Sequence, residues 1–239
     1  MMSMTGLGCQ SAPKNRVIVL GMIHSGHTSS DVYSLEVLRE AIIEIEPDYV
    51  LTEIPPDRIE NANSSFAETG VVDEARVNRF PEYTGVLYPL TREMNFEIIA
   101  CAAWTREMAQ DRQEKLDLWS TERPVDTMEV ENAQYLIEIE MAEKGDPNDP
   151  MYIHTDGYDE LVRQAMEPYN RLFNDDLGPG GWDNINKAHY ALIEAALDEH
   201  SGEGKTILIT FGAWHKYWFL DRLRKRDDIR LIDPRSFFE

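Results

Sequence analysis

The sequence predicts an α/β fold: a mostly parallel central sheet flanked by helices, with a helical insertion between its N- and C-terminal βα parts. Two short apolar runs near opposite ends of the chain indicate buried strands, VIVL at residues 17–20 and ILITF at residues 207–211. Each run leads into a Gly-x-x-His motif. Apolar, β-branched runs bounded by glycine are typical of strands that are covered on both faces, as in parallel sheets.

The chain begins with residues 1–15, which we expect to form a disordered arm, followed by a strand at residues 16–20. The next loop is rich in Ser, Gly and Thr, and Ser30 or Asp31 is a candidate N-cap for the helix after it. That helix is predicted because apolar residues recur at helical spacing from Leu35 to Ile45.

A second strand is predicted at Tyr49–Thr52, which ends on Glu53. Strand, helix and strand within this length form a βαβ unit, so we expect the first two strands to be parallel neighbours with a right-handed crossover. Residues 54–58, IPPDR, cannot continue a central strand because proline cannot donate to the ladder.

The remaining elements place a helical block between the two βα parts of the chain. In order, we predict a polar helix at 65–79, an aromatic loop at 83–90, a strand at 96–100, helices at 102–115, 126–144, 158–173 and 184–200, a strand at 206–211, a helix at 216–226 and a strand at 229–232. The breaks GDPNDP and LGPGGW have no full set of strands on either side. We therefore predict a single α/β domain at residues 16–239, with the insertion at about 116–200.

The excess of acidic over basic residues limits the classes of molecule that the protein is expected to bind. Lys and Arg number 23 and Asp and Glu number 44, so the formal charge is 23 − 44 = −21. Such a surface repels nucleic acid and anionic membranes, which are bound through clustered Lys and Arg. No apolar run approaches the roughly 20 residues that a transmembrane helix needs. We expect a small-molecule or peptide substrate, no nucleic acid and no transmembrane segment.

The two cysteines, Cys9 and Cys101, give neither a zinc ribbon nor a disulfide framework, which fits a reducing compartment. The first residues have no charged n-region and no apolar h-region, so we predict a cytoplasmic protein. Residues 6–9, GLGC, resemble the end of a lipoprotein signal. A true start upstream of Cys9 would make the protein a periplasmic lipoprotein, which is the alternative prediction.

Three side chains are the first candidates for chemistry. His24 and His215 each follow a predicted buried strand, and Glu53 ends the second strand. Because ligands of open α/β sheets bind beyond the carboxyl ends of the strands, we expect these groups to share one site. Arg58, five residues after Glu53, is a natural ion-pair partner for it; the pair either orders the loop or orients a metal-binding or basic Glu53.

Two kinds of chemistry suit this set. His24, Glu53 and His215 form a plausible ligand set for a divalent metal such as zinc, manganese or cobalt, which would lower the pKa of a bound water. Without a metal, histidine could act as a base towards water while glutamate sets its tautomer. His27 is either a further ligand or an exposed loop residue, and Tyr217 either donates to an oxyanion or packs at the start of a helix.

Three motifs together resemble the TraB/TIKI superfamily: LGMIH at residues 20–24, PDYVLTEIPPDR at residues 47–58 and FGAWHKYWF at residues 211–219. That group has two Gly-x-x-His motifs with an intervening Glu and a downstream Arg. The chain is more distantly similar to erythromycin esterases and ChaN-like haem-binding proteins.

The resemblance implies an α/β fold whose motif residues meet in one cleft, and a metal-dependent hydrolase that cleaves a peptide or ester bond with water activated at a His/Glu/His site. His24 and His215 would then be ligands or catalytic groups, Glu53 a ligand or base, and Arg58 its partner. Where such proteins often carry a cleft-facing arginine, this chain has WDNINKAHY at residues 182–190, and Asn184, Asn186 or Lys187 would have to substitute. The alternative that the resemblance allows is a non-catalytic protein that binds haem or a small peptide.

Overall fold

The computed structural model describes residues 12–238. Within that range the chain forms a five-stranded, all-parallel sheet flanked by helices, which confirms the predicted fold class. The strands are β1 Asn15–Met22, β2 Tyr49–Thr52, β3 Glu97–Ala100, β4 Thr206–Gly212 and β5 Ile229–Leu231, in the spatial order β3-β2-β4-β1-β5.

The order of the strands corrects one prediction. β1 and β2 are not neighbours, because β4 lies between them and pairs in parallel with both. A βαβ unit fixes the direction and hand of the connection but not the number of strands that it crosses. All seven residues of β4 are buried, so β4 suits a central position with a partner on each side.

The helices are α1 Leu35–Ile45, α2 Pro56–Thr69, α3 Tyr88–Leu90, α4 Arg106–Glu122, α5 Pro124–Lys144, α6 Pro150–Ile153, α7 Asp156–Phe173, α8 Trp182–Glu199 and α9 Lys216–Leu223. The predicted helices at 126–144, 158–173 and 184–200 correspond to α5, α7 and α8 within two residues at each end. Among residues 12–238, no helix combines the length and apolar character needed to cross a membrane.

Helix α1 is capped by Ser34, not by Ser30 or Asp31. The Ser34 hydroxyl accepts a hydrogen bond from the backbone N–H of Val37, three residues on, as a cap residue must. The hydroxyl of Ser30 instead accepts from the backbone N–H of Tyr33 and shapes the preceding loop.

Two predictions for residues 54–90 are wrong. The polar helix expected at 65–79 is α2, which begins at Pro56 and ends before Gly70, a glycine with φ +78°. Proline is favoured at the first helical position because its missing N–H would be unpaired there. The aromatic loop expected at 83–90 is helical instead, as a π-turn at Tyr83–Leu87 and α3, because most of its apolar side chains pack into the core.

The predicted arm lies mostly outside the described residues, as does the lipoprotein prediction for Cys9. Its last residue, Asn15, belongs to β1 and is buried. Its side-chain amide donates to the carbonyl of His200 and accepts from the backbone N–H of Lys205, both at 2.8 Å. These two bonds fasten the amino end of β1 to the turn that precedes β4.

Candidate functional site

The carboxyl ends of three adjacent strands present the three predicted side chains to one place. β1 leads to His24, β4 leads to His215, and β2 leads to Glu53. The register pairs Met22 with Gly212, so the two Gly-x-x-His segments leave the sheet side by side. Because β4 is the middle strand, His24 and Glu53 approach its end from opposite sides.

Gly212 marks the centre of this arrangement. A Cβ atom at that position would lie 2.8 Å from Nε2 of His24 and 3.6 Å from both Oε2 of Glu53 and Cδ2 of His215. Nε2 of His24 and Oε2 of Glu53 are 3.8 Å apart, and the same Glu53 oxygen accepts a 3.0 Å hydrogen bond from the backbone N–H of Gly212. The missing side chain of glycine therefore leaves a small space that all three groups border.

His24 sits in a strained loop between two carboxylates. Its φ of +50° lies in the left-handed region, which for a residue other than glycine costs of the order of 1 kcal/mol or more and is concentrated at functional sites. Its Nδ1 is 2.6 Å from Oε1 of Glu82, which is fully buried. Burial lowers the pKa of His24, but the hydrogen bond to Glu82 and the charge of Glu53 outweigh it and raise that pKa overall.

The surroundings of His215 shift its pKa in the opposite direction. Asn186 donates its side-chain N–H to the carbonyl of Trp182, which fixes its oxygen towards Nδ1 of His215 at 2.6 Å. Nδ1 therefore carries the hydrogen and Nε2 keeps its lone pair. Burial lowers the pKa of His215 to about 4, with the charge of Glu53 as the main opposing influence. Asn186 is itself fully buried, and its role as a substitute for arginine stays a prediction.

A third imidazole, that of His189, packs edge-on against His215 at 5.4 Å between ring centres. Its Nδ1 accepts from the backbone N–H of Ala103, so its Nε2 carries a hydrogen, and this buried Nε2 has no partner among residues 12–238. Burial lowers the pKa of His189 to about 3. His189 is therefore a second neutral, buried histidine behind His215.

Glu53 is fixed through its backbone by Tyr83. The Tyr83 hydroxyl accepts from the backbone N–H of Glu53 at 2.7 Å and donates to the carbonyl of Thr210 at 2.9 Å. These bonds connect the end of β2 to β4 just before Gly212. Tyr83 is fully buried, so the link is shielded from water.

Arg58 does not form the predicted ion pair with Glu53. Its guanidinium lies 3.1 Å from Asp57 and 3.6 Å from Glu74. The side chain is carried away from Glu53 because residues 56–69 are helical and the peptide turns at Pro55. Glu53 is paired with the backbone of Gly212 and with His24 instead.

The two secondary candidates lie apart from the space at Gly212. His27 is buried, not exposed: one ring nitrogen accepts from the backbone N–H of Ile23 and the other contacts the carbonyl of Tyr33. It shapes the loop after β1. Tyr217 packs at the start of α9, where its hydroxyl accepts from the indole N–H of Trp182 at 2.9 Å.

A cavity of about 560 Å³ opens onto this space. Its walls are largely apolar and aromatic, and they include both histidines: Met22, Ile23, His24, Glu138, Met141, Pro147, Tyr158, Trp182, Gly212, Ala213, Trp214 and His215. Residues of α5 close it from the side of the helical insertion. A volume of this size accommodates a small-molecule ligand or a few residues of a peptide.

The donor chemistry of the site suits a divalent metal, since each imidazole has its Nδ1 held by an oxygen, as ligating histidines do. The distances between the candidate ligand side chains suit a divalent metal less well. Within residues 12–238, no three or more His, Cys, Asp or Glu side chains are grouped closely enough to hold an ion. The ligand set of His24, Glu53 and His215 therefore stays a prediction.

Sequence reasoning missed three residues of the site: Glu82, Tyr83 and His189. His189 had a usable signal, because it follows Asn186 by three residues and so shares a face of α8 with it. Glu82 and Tyr83 lie in a segment without periodic apolar pattern, and their roles depend on strands that are distant in sequence.

Comparison of the chain with protein-family models, with curated proteins and with solved structures finds no significant match. The resemblance to the TraB/TIKI superfamily therefore rests on the three motifs and on nothing beyond them.

Proposed function

We propose that the protein is a hydrolase that cleaves an ester or peptide bond, with His215 as the base that activates water and His24 as the acid that protonates the leaving group. One observation carries the proposal: two imidazoles and the Glu53 carboxylate border the same small space at Gly212, on the wall of a cavity of ligand size.

The reaction follows from the two histidine environments. Nε2 of His215 accepts a proton from water while the hydroxide forms a bond with the carbonyl carbon of the substrate. The carbon–oxygen or carbon–nitrogen bond then breaks as His24 gives a proton to the departing oxygen or nitrogen. Glu53 and Glu82 stabilise the positive charge on His24 before that transfer. Two titratable groups whose surroundings push their pKa values apart are suited to such separate acid and base roles.

The metal-dependent form of this hydrolase is the rival within the same class. A zinc, manganese or cobalt ion bound by His24, Glu53 and His215 would supply water of lowered pKa and polarise the carbonyl. The second imidazole nitrogens would remain with Glu82 and Asn186 in that case.

The test is hydrolysis of a panel of activated esters and an unbiased peptide library by purified protein. Three samples are compared: protein treated with a chelator, untreated protein, and protein supplied with each of the three metals. We expect turnover of at least one ester or peptide class in the chelated sample. Turnover that requires added metal would support the rival, and no turnover in any sample would contradict both.

The pH dependence of that turnover is a separate prediction. His215 must be neutral to accept a proton, so activity rises as the pH increases through its pKa of about 4. His24 must be protonated to donate, so activity falls as the pH increases through its pKa, which is raised above 6.5. We expect a bell-shaped profile of kcat/KM with its maximum at mildly acidic pH. A profile that instead rises towards a plateau above about pH 7 is the one expected of metal-bound water.

Gly212→Ala is expected to remove most of the activity without unfolding the protein. The added Cβ would sit 2.8 Å from Nε2 of His24, which must move out of the shared space. We expect kcat/KM to fall by about 100-fold, the usual effect of displacing one catalytic group. The matched control is Gly157→Ala, whose Cβ would meet no atom closer than 3.8 Å. Equal activity of the two variants would contradict the assignment of this space as the reaction site.

Haem binding remains the alternative prediction for the same cavity. A Soret shift on haem addition that His24→Ala removes, together with no turnover in the panel, would support it over hydrolysis.

A further inference from the structure

A second cavity of about 730 Å³ lies beside the candidate site and is lined by an unusual set of side chains. Five of its lining residues are arginines: Arg58, Arg76, Arg79, Arg106 and Arg112. We call this cavity the arginine pocket. It is bordered by the start of α2, the segment before the π-turn and the start of α4.

The charge of the arginine pocket is opposite in sign to the net charge of the whole chain. The protein has 23 basic and 44 acidic residues, yet five of those basic residues and one acid, Glu74, line this cavity. Their formal charge is 5 − 1 = +4. Five guanidinium groups gathered in one concave surface repel one another unless an anion lies between them.

The pocket's own carboxylate does not neutralise these groups. One oxygen of Glu74 accepts hydrogen bonds from the backbone N–H groups of Arg76 and Val77, and the other lies 3.6 Å from Arg58. Within residues 12–238, only Arg58 among the five arginines has a carboxylate oxygen within 4.0 Å.

Two of the guanidinium groups are held in place by aromatic rings. Arg76 lies over Phe80 at 5.1 Å, and Arg112 lies over Tyr169 at 5.7 Å with a hydrogen bond from its Nε to the tyrosine hydroxyl. Stacking of this kind positions the planar fork without neutralising its charge. The pocket is therefore preorganised for an anion on at least two of its arginines.

Two helices also begin at the pocket. Pro55 precedes α2 and Thr105 caps α4, and both residues line the cavity. These helices have 14 and 17 residues, so each directs the positive end of its dipole and its first N–H groups towards the same space. The dipoles of α2 and α4 therefore add to the positive potential that the arginines create in the pocket.

We propose that the arginine pocket is a binding site for a small molecule that bears two or more phosphate or carboxylate groups. Arginine forks bind both oxyanions in a bidentate manner, and a net charge of +4 calls for more than one anionic group. The strongly acidic remainder of the surface disfavours a nucleic acid strand, which would extend beyond the pocket. The proposal does not depend on the hydrolase proposal.

The pocket is close enough to the candidate site for its ligand to matter there. Phe80, which packs against Arg76, also contacts the ring of His24, with 4.9 Å between ring centres. The indole of Trp104, a lining residue, lies 6.2 Å from the ring of His189. The ring of Phe80 would therefore separate a molecule in the arginine pocket from His24, and the rings of Trp104 and His189 would separate it from His215.

The experiment is isothermal titration of the full chain with tripolyphosphate and with citrate, at one fixed ionic strength, to distinguish phosphate from carboxylate ligands. The test variant is Arg79→Gln with Arg106→Gln, because both side chains are exposed. The control is Arg16→Gln with Arg230→Gln, a pair of exposed neighbouring arginines at the amino ends of β1 and β5. Both double variants remove the same net charge.

We expect saturable binding of at least one probe by the wild-type protein and by the control. We expect the pocket variant to bind it about tenfold to 100-fold more weakly, because two positively charged donors to the anion are lost. Absence of binding for both probes would overturn the proposal. So would equal affinity of the two double variants, because the binding would then reflect overall charge and not this pocket.

Discussion

Glu53→Gln is expected to lower kcat/KM of the proposed hydrolysis by about 10²–10⁴-fold, the usual contribution of acid–base machinery. Glutamine keeps the shape of the side chain, and its carbonyl oxygen can still accept from the backbone N–H of Gly212. It loses the negative charge that lies 3.8 Å from Nε2 of His24 and helps to keep that imidazole protonated. Activity should therefore fall while the fold persists.

The measurement is kcat/KM together with urea unfolding of the same preparations. The matched control is Glu97→Gln, which removes an exposed carboxylate at the amino end of β3, away from the site. We expect the control to retain wild-type activity. If Glu53→Gln keeps full activity at its normal stability, the carboxylate has no part in the reaction and the proposed mechanism is wrong.

Asp159→Ala is expected to destabilise the fold by about 3–5 kcal/mol, the range found when one partner of a buried ion pair is removed. Asp159 on α7 pairs with Lys216, the residue after His215 at the start of α9, and both side chains are buried. Burial raises the pKa of Asp159 and lowers the pKa of Lys216, while each charge favours ionisation of the other. Without Asp159, the ammonium of Lys216 is left without its carboxylate in the interior.

Urea unfolding of three further proteins makes this prediction specific. Asp221→Ala removes the partner of Arg163 in a pair that is 43% and 34% exposed, and should cost less than about 1 kcal/mol. The double variant Asp159→Leu with Lys216→Met removes both buried charges and should recover much of the loss. A loss for Asp159→Ala no larger than that for Asp221→Ala would contradict the prediction.

Much of the fold was predictable from local pattern. The buried runs at residues 17–20 and 207–211 predicted β1 and β4, and α5, α7 and α8 lie within two residues of their predicted bounds. The prediction was less accurate for α4, which ends at Glu122 and not at residue 115. The residue pattern did not predict the correct elements where the local preference for helix was weak. The polar α2 and the π-turn at Tyr83–Leu87 form because of a proline start and of core packing, and neither feature has a strong periodic signal.

The residues of the candidate site likewise fall into those that the sequence predicted and those that it did not. His24, Glu53 and His215 were predicted because each directly follows a strand of a parallel sheet. Glu82, Tyr83 and His189 were not, because their contacts join segments that are 30 to 127 residues apart in sequence. The arginine pocket is of this kind as well: its arginines are scattered over residues 58–112, and only the turns between α2 and α4 gather them.

The sequence by itself determined that buried strands lead directly into His24, Glu53 and His215, because apolar β-branched runs are typical of strands in a parallel sheet. Only the tertiary structure decided that β4 lies between β1 and β2, that the surroundings raise the pKa of His24 and lower that of His215, and that Arg58 faces the arginine pocket instead of Glu53. The physical reason is that strand order, burial and charge pairing depend on contacts between distant segments, and no local pattern of residues contains those contacts.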